Sequence, residues 1–287
     1  MIKSDDFWRW YIVWDIVVDF NFLVLLMFVA SLKELLNKYL NFQLTDIQKQ
    51  ALKNFFDVKY TYNSNAIEWT TFSEKETALV LKWNVITWHS LKEHFEVVNH
   101  KKAFDFVCRL TDCLDKSHKS WLEIFNEDNV LNIHKILLQN INDQYAWVYR
   151  DVNVRIAYSR AVLPRYEKVP TLMMNFFEEF TSRYKEINLD NIDEVLKYWF
   201  DLHIYFVKIH PFIDWNGRTA RLLMNMWFLY VFNVIDVIYF DKRKEYIDSI
   251  ENFEENPKGY YDFMEKNFER FLKEVIDLLE NNIYFKI

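Results

Sequence analysis

Glycine is almost missing from this chain. Only Gly217 and Gly259 occur among 287 residues, where average usage would supply about twenty. That scarcity leaves no Gly-rich phosphate loop to build a site on. Cysteine is as sparse: Cys108 and Cys113 lie five apart, too far for CxxC chemistry, and read as reduced thiols of a cytoplasmic protein. No basic tract offsets the net charge of −7, which argues against general nucleic-acid binding. With four prolines there is no Pro-rich linker, and no internal repeat or low-complexity tract appears. The one long apolar run, Tyr11 to Leu32, is broken by Asp15 and Asp19. Its charge-free part, Phe20 to Leu32, is shorter than the roughly 20 residues that span a bilayer. Residues 1–31 therefore read as an apolar, helical extension rather than a membrane anchor.

What is present is ample material for a core, 51% hydrophobic against 27% charged, and one stretch dense in chemistry. Residues 210 to 221 run His210-Pro211-Phe212-Ile213-Asp214-Trp215-Asn216-Gly217-Arg218-Thr219-Ala220-Arg221. Pro211 disfavours αR geometry at His210, so an incoming helix stops there, and the residues after Gly217 start a new one. A helix N-terminus offers free N–H groups and the positive end of the dipole to an anion. Arg218 and Arg221, at i and i+3, are expected to reach one polyphosphate together. Asp214 is a hard oxygen ligand of the kind Mg²⁺ takes. His210, with an unperturbed pKa of about 6.5, suits proton abstraction near neutrality.

This pattern resembles the signature of the Fic family, His-Pro-Phe-x-Asp-Gly-Asn-Gly-Arg-x-x-Arg, at every specified position but one. The exception is Trp215, where the family has glycine. The resemblance implies a protein adenylyltransferase that moves AMP from ATP to a Ser, Thr or Tyr hydroxyl of a protein target. His210 would be the catalytic base, Asp214 the Mg²⁺ ligand, and Asn216, Gly217, Arg218 and Arg221 the nucleotide site. An aromatic near Tyr246 often meets the adenine or ribose in that family.

A second stretch, Ser64-Asn65-Ala66-Ile67-Glu68-Trp69, resembles the family's inhibitory motif, again with tryptophan on a glycine. By that resemblance Ser64 and Glu68 belong to a short inhibitory helix near 64–69, and Glu68 pairs with Arg221, denying it to the γ-phosphate. Trp88, Trp147 and Trp83 also stand where a Fic protein has glycine. Self-inhibited relatives are often dimers, and self-modification is a further implication. Alternatives are the reverse hydrolase, which removes AMP at the same site, transfer from another nucleotide or phosphocholine donor, and a noncatalytic module whose pocket Trp215 blocks.

The rest reads as one mostly α domain over 32–287. Thr45 and Ser73 open helices, the second with a Ser73–Glu76 capping box. Residues 90–106, 126–140, 169–184 and 193–209 carry further helices, the last delivering His210. His203, on the same face as His210, reads as core. The only strong β-type alternation, Asp151 to Ala157, predicts a hairpin with Ala161–Pro164, and in the family such a flap holds the target segment by main-chain pairing.

Overall fold

The computed structural model describes residues 32–111, 119–156, 159 and 161–281. The N-terminal extension over 1–31 and Cys113 lie outside the described residues. Helix α1 covers 32–40, followed by α2 (Asp46–Ala66), α3 (Glu74–Leu81), α4 (Leu91–Thr111), α5 (Trp121–Ile124) and α6 (Glu127–Leu138). Then come α7 (Val169–Glu186), α8 (Ile192–Ile209), α9 (Asn216–Phe232), α10 (Arg243–Glu251) and α11 (Pro257–Glu280). No described helix is long and apolar enough to cross a membrane.

Local chemistry sets most of these ends. Thr45, Ser73 and Ser120 each close a capping box with Gln48, Glu76 and Glu123, so the first free N–H groups of α2, α3 and α5 are satisfied. Pro170 and Pro257 sit in the first turns of α7 and α11, where a missing N–H costs nothing.

Helix α9 is the axis of the fold. Leu222, Leu223, Met224, Met226, Trp227 and Phe228 are all fully buried, and a helix apolar on every side has to be surrounded. It packs against α8, α4, α6 and α2. The buried N-terminus of α9 therefore opens onto whatever α2 and the loop after α8 present to it.

The expected β-hairpin does not form as a ladder: among the described residues there is no strand. Ser159 N–H bonds to the Ile156 carbonyl, and the two arms are tied by a side chain. Arg150 donates to the Val152 carbonyl at 3.2 Å and the Pro164 carbonyl at 2.5 Å. Val152 and Val162 are exposed and Val154 and Ile156 only half-buried, so the alternation buries little apolar surface, and an unsupported two-stranded ribbon is marginal. The inhibitory segment also differs from expectation. Ser64, Asn65 and Ala66 are the last turn of the 21-residue helix α2, and Glu68 follows its end.

Candidate active site

The loop 210–215 is held from three directions. His210 closes α8 in the left-handed region, at φ 51° and ψ 61°, because Pro211 bars the helical continuation. Asn216 fastens the other end, accepting from Phe212 N–H at 2.8 Å and donating to the Phe212 carbonyl at 2.9 Å. Buried Phe212 stacks on His134, with ring centroids 3.6 Å apart. Arg150 then reaches in from the segment before the flap. Its Nε donates to the His210 carbonyl at 2.8 Å and its backbone N–H to the Pro211 carbonyl at 2.9 Å.

The His210 ring meets the Val207 carbonyl through Nδ1, at a long 3.4 Å. A carbonyl only accepts, so Nδ1 carries the proton and Nε2 keeps a lone pair. Burial pushes the imidazole down to about 4, with Arg150 adding to the shift against the opposing pull of the Val207 carbonyl, Asp214 and Glu68. At neutral pH this histidine is an uncharged acceptor.

The anion end is built around Gly217, in the first turn of α9. A Cβ there would lie 2.6 Å from Glu68 Oε1, so the missing side chain is what lets the carboxylate reach the helix N-terminus. Arg221 Nη2 donates to the same oxygen at 2.8 Å and to the Ser64 carbonyl at 2.9 Å, and its Nε donates to Ser64 Oγ at 3.1 Å. Burial alone would raise the Glu68 pKa; the guanidinium groups of Arg221 and Arg218 outweigh it and hold the carboxyl below its usual value. Tyr246, also against Arg221, is buried, with its hydroxyl 2.8 Å from His203 Nε2, and the other ring nitrogen of His203 meets Tyr260. Tyr246 is thus anchored in a buried polar chain, and His203 is core, pushed down to about 3 by burial.

His210, Glu68, Gly217, Arg221 and Tyr246 line one cavity of about 390 Å³, closed on its apolar side by Val162, Leu163, Ile247, Ile250 and Phe253. Three expected members do not join them. Arg218 does not share an anion with Arg221: it is buried, donating to Glu96 Oε2 at 2.9 Å and Asn65 Oδ1 at 3.0 Å. Neighbouring positions on a helix gave each arginine its own carboxylate. Asn216 has both ends of its amide engaged by the loop. Asp214 is exposed, accepts from Trp215 N–H at 2.7 Å, and lines a separate, smaller cavity beside Trp215. Among the described residues no group of three or more His, Cys, Asp or Glu could hold a metal ion. The Trp215 indole is not in the His210 cavity either; it lies under Arg218, whose guanidinium carbon is 3.3 Å from the ring centroid.

Two residues escaped the sequence reading. Glu96 lies on the same buried face of α4 as Asn99, His100 and Ala103, and a glutamate in that period needs a cation partner. Arg150 carried no such signal, since its partners are carbonyls 2 to 60 residues away.

This helical bundle presents a neutral histidine, a helix N-terminus and a buried arginine to one cavity, an arrangement chemically able to hold an anion and accept a proton. Residues 124–228 match the model of the Fic/DOC family. The protein adenylyltransferase Fic of Nematostella vectensis is 30% identical over 201 residues, 70% of this chain and 44% of that protein. The protein adenylyltransferase fic-1 of Caenorhabditis elegans is 30% identical over 186 residues, 63% of this chain and 33% of that protein. The chain thus spans less than half the length of these curated relatives. Among solved structures, Fic-1 from C. elegans (residues 134–508) superposes with a TM-score of 0.72 at 22% identity, covering 91% of this chain and 76% of that one. A Fic-domain signaling protein from Bacteroides thetaiotaomicron gives 0.74 at 18%, covering 88% and 98%. The chain carries a Fic/DOC domain over residues 124–228.

Proposed function

We propose that this protein transfers AMP from ATP to a Ser, Thr or Tyr hydroxyl of a protein, and that Glu68 restrains the reaction. The observation that carries this reading is the Glu68 carboxylate seated against Gly217 and bonded to Arg221 at 2.8 Å. An acidic group already occupies the place where a helix N-terminus and an arginine would hold a phosphate. The names of the relatives, protein adenylyltransferases, support the reaction class.

In this reading the adenine enters the apolar side of the cavity, between Leu163 and Ile250, and the γ-phosphate displaces Glu68 from Arg221. The lone pair of His210 Nε2 takes the proton of the target hydroxyl as its oxygen bonds to the α-phosphorus, and pyrophosphate leaves. Most of the rate comes from positioning and charge neutralisation. Mg²⁺ prefers one or two carboxylates plus phosphate oxygens. Asp214, which lines a cavity separate from that of His210, is the carboxylate that would hold it, and the ion would neutralise phosphate charge when bound. The segment 151–164 would present the target, its Val162 edge exposed for pairing. Self-modification and homodimerisation belong to the same reading.

The test is transfer from α-labelled ATP with Mg²⁺ by the wild type, by Glu68→Gly and by Glu68→Gly with His210→Ala. Label that appears with the first change and vanishes with the second is the expected result. No label in any variant, including the same series with Trp215→Gly, would refute the transfer. A second reading rests on Glu68 and His210 lining one cavity: Glu68 would orient a water that removes AMP from a modified protein, and release of AMP from such a substrate separates the two.

A further inference from the structure

We propose that positions 69, 83, 147 and 215 are glycine seats of this fold, and that the protein made in its own cells carries glycine there, specified by UGA codons those cells read as glycine. Among the described residues, the non-glycine residues with positive φ are Trp69 (70°), Trp83 (66°), Trp147 (68°), Trp215 (67°), His210 (51°), Asn140 (61°) and Asn233 (56°). Asparagine visits the left-handed region readily, and histidine is among the residues enriched there. Every remaining case is tryptophan, for which that region is a genuine outlier. Neither glycine of the chain has positive φ.

The hydrogen bonds say what these backbones are. After α3, Trp83 N–H bonds to the Val80 carbonyl at 2.9 Å and Asn84 N–H to the Leu79 carbonyl at 3.1 Å. After α2, Trp69 N–H bonds to the Ala66 carbonyl at 3.0 Å and Thr70 N–H to the Asn65 carbonyl at 3.2 Å. Both are Schellman ends, in which the left-handed residue is ordinarily glycine because it has no Cβ to clash. The Trp83 indole gains little in return, being 82% exposed, and the Trp69 indole, 69% exposed, gains only an exposed stack under Arg243, 4.1 Å from its ring centroid. Trp147 is also exposed, over Lys135.

The chain's other described tryptophans give the contrast. Trp121, Trp199 and Trp227 lie within helices and are fully buried. Trp121 Nε1 donates to Tyr198 Oη and Trp227 Nε1 to the Val195 carbonyl, as a buried indole requires. By backbone and burial all three are tryptophan sites, although Trp199 Nε1 has no hydrogen-bond partner among the described residues. Trp88 is exposed without positive φ, so its backbone does not demand glycine and it stays outside the claim.

At position 215 the assignment changes the site. Glycine there would strip the indole from beneath Arg218 and open the ground between Asp214 and the N-terminus of α9. That consequence rests on the nucleotide reading above, whereas the glycine assignment does not.

The test reads the gene at these positions and sequences, by mass spectrometry, the peptides of the protein isolated from its own cells. The expected result is UGA at 69, 83, 147 and 215 with glycine in the peptides, and UGG with tryptophan at 121, 199 and 227. Tryptophan in the peptides at any of the first four positions overturns the assignment. Calorimetric titration of the Trp215→Gly variant with ATP is the second arm, with at least tenfold tighter binding expected than for the tryptophan form. Glycine in the peptides but no ATP binding by Trp215→Gly would refute the nucleotide reading and leave the glycine assignment standing.

Discussion

Replacing Glu68 by alanine should make the protein less stable alone and a better binder of ATP. Arg221 is 1% exposed while the Glu68 side chain is 33% exposed. Breaking a wholly buried pair costs about 3–5 kcal/mol, and an exposed pair is worth about 0–1 kcal/mol. A pair open at one end falls between, at about 2 kcal/mol, with Ser64 still accepting from Arg221. Urea denaturation without ligand should show that loss. The same carboxylate competes with an incoming phosphate, so its removal returns at most a similar energy to ATP, about 25-fold in Kd. Calorimetric titration of both proteins with ATP and Mg²⁺ measures it. Glu68→Gln, which keeps an acceptor oxygen but no charge, should fall between them. An unchanged ATP affinity in Glu68→Ala, with the stability loss present, would refute the idea that Glu68 occupies a phosphate's place.

Three further outcomes follow from the same contacts. Arg150→Met removes the donors to the His210 and Pro164 carbonyls; AMP transfer in the Glu68→Gly background should fall at least tenfold, with ATP affinity from calorimetry unchanged. Glu96→Gln leaves Arg218 buried beside Asn65 without its paired carboxylate, the more distant Glu68 charge remaining; a loss of up to about 3–5 kcal/mol in urea denaturation is expected. Acid should destabilise the fold below pH 6.5. Burial holds His134 and His210 down at about 4, His203 at about 3 and His100 well below its usual value. The unfolded chain protonates these rings near 6.5, so between 6.5 and 4 it binds more protons than the native state and stability drops as the pH is lowered. Burial also raises Asp236 to about 8 and Glu265 to about 7, which opposes the trend with fewer groups. A urea midpoint that does not drop between pH 7 and 5 would contradict the neutral burial of these histidines.

Much of the site was legible before any coordinates. The stop at His210, the start of α9, the capping box at Ser73 and the N-cap at Thr45 follow from sterics and hydrogen bonds within a few residues, and such local rules act on sequence directly. The pairing of Glu68 with Arg221 came from a motif resemblance, and the geometry shows its means, a glycine whose absent Cβ makes room for the carboxylate.

What the sequence by itself determined, then, is the set of local breaks, the histidine carried to a helix end and the anion-ready N-terminus after it. Tertiary structure alone decided the partners. Spacing on α9 makes Arg218 and Arg221 neighbours, but α4 supplies Glu96 to one while Glu68, just past α2, takes the other. It also turned Asp214 outward and left the described residues of segment 151–164 without a ladder, because a charge or a strand settles where packing offers it a partner, and packing joins residues far apart in the chain.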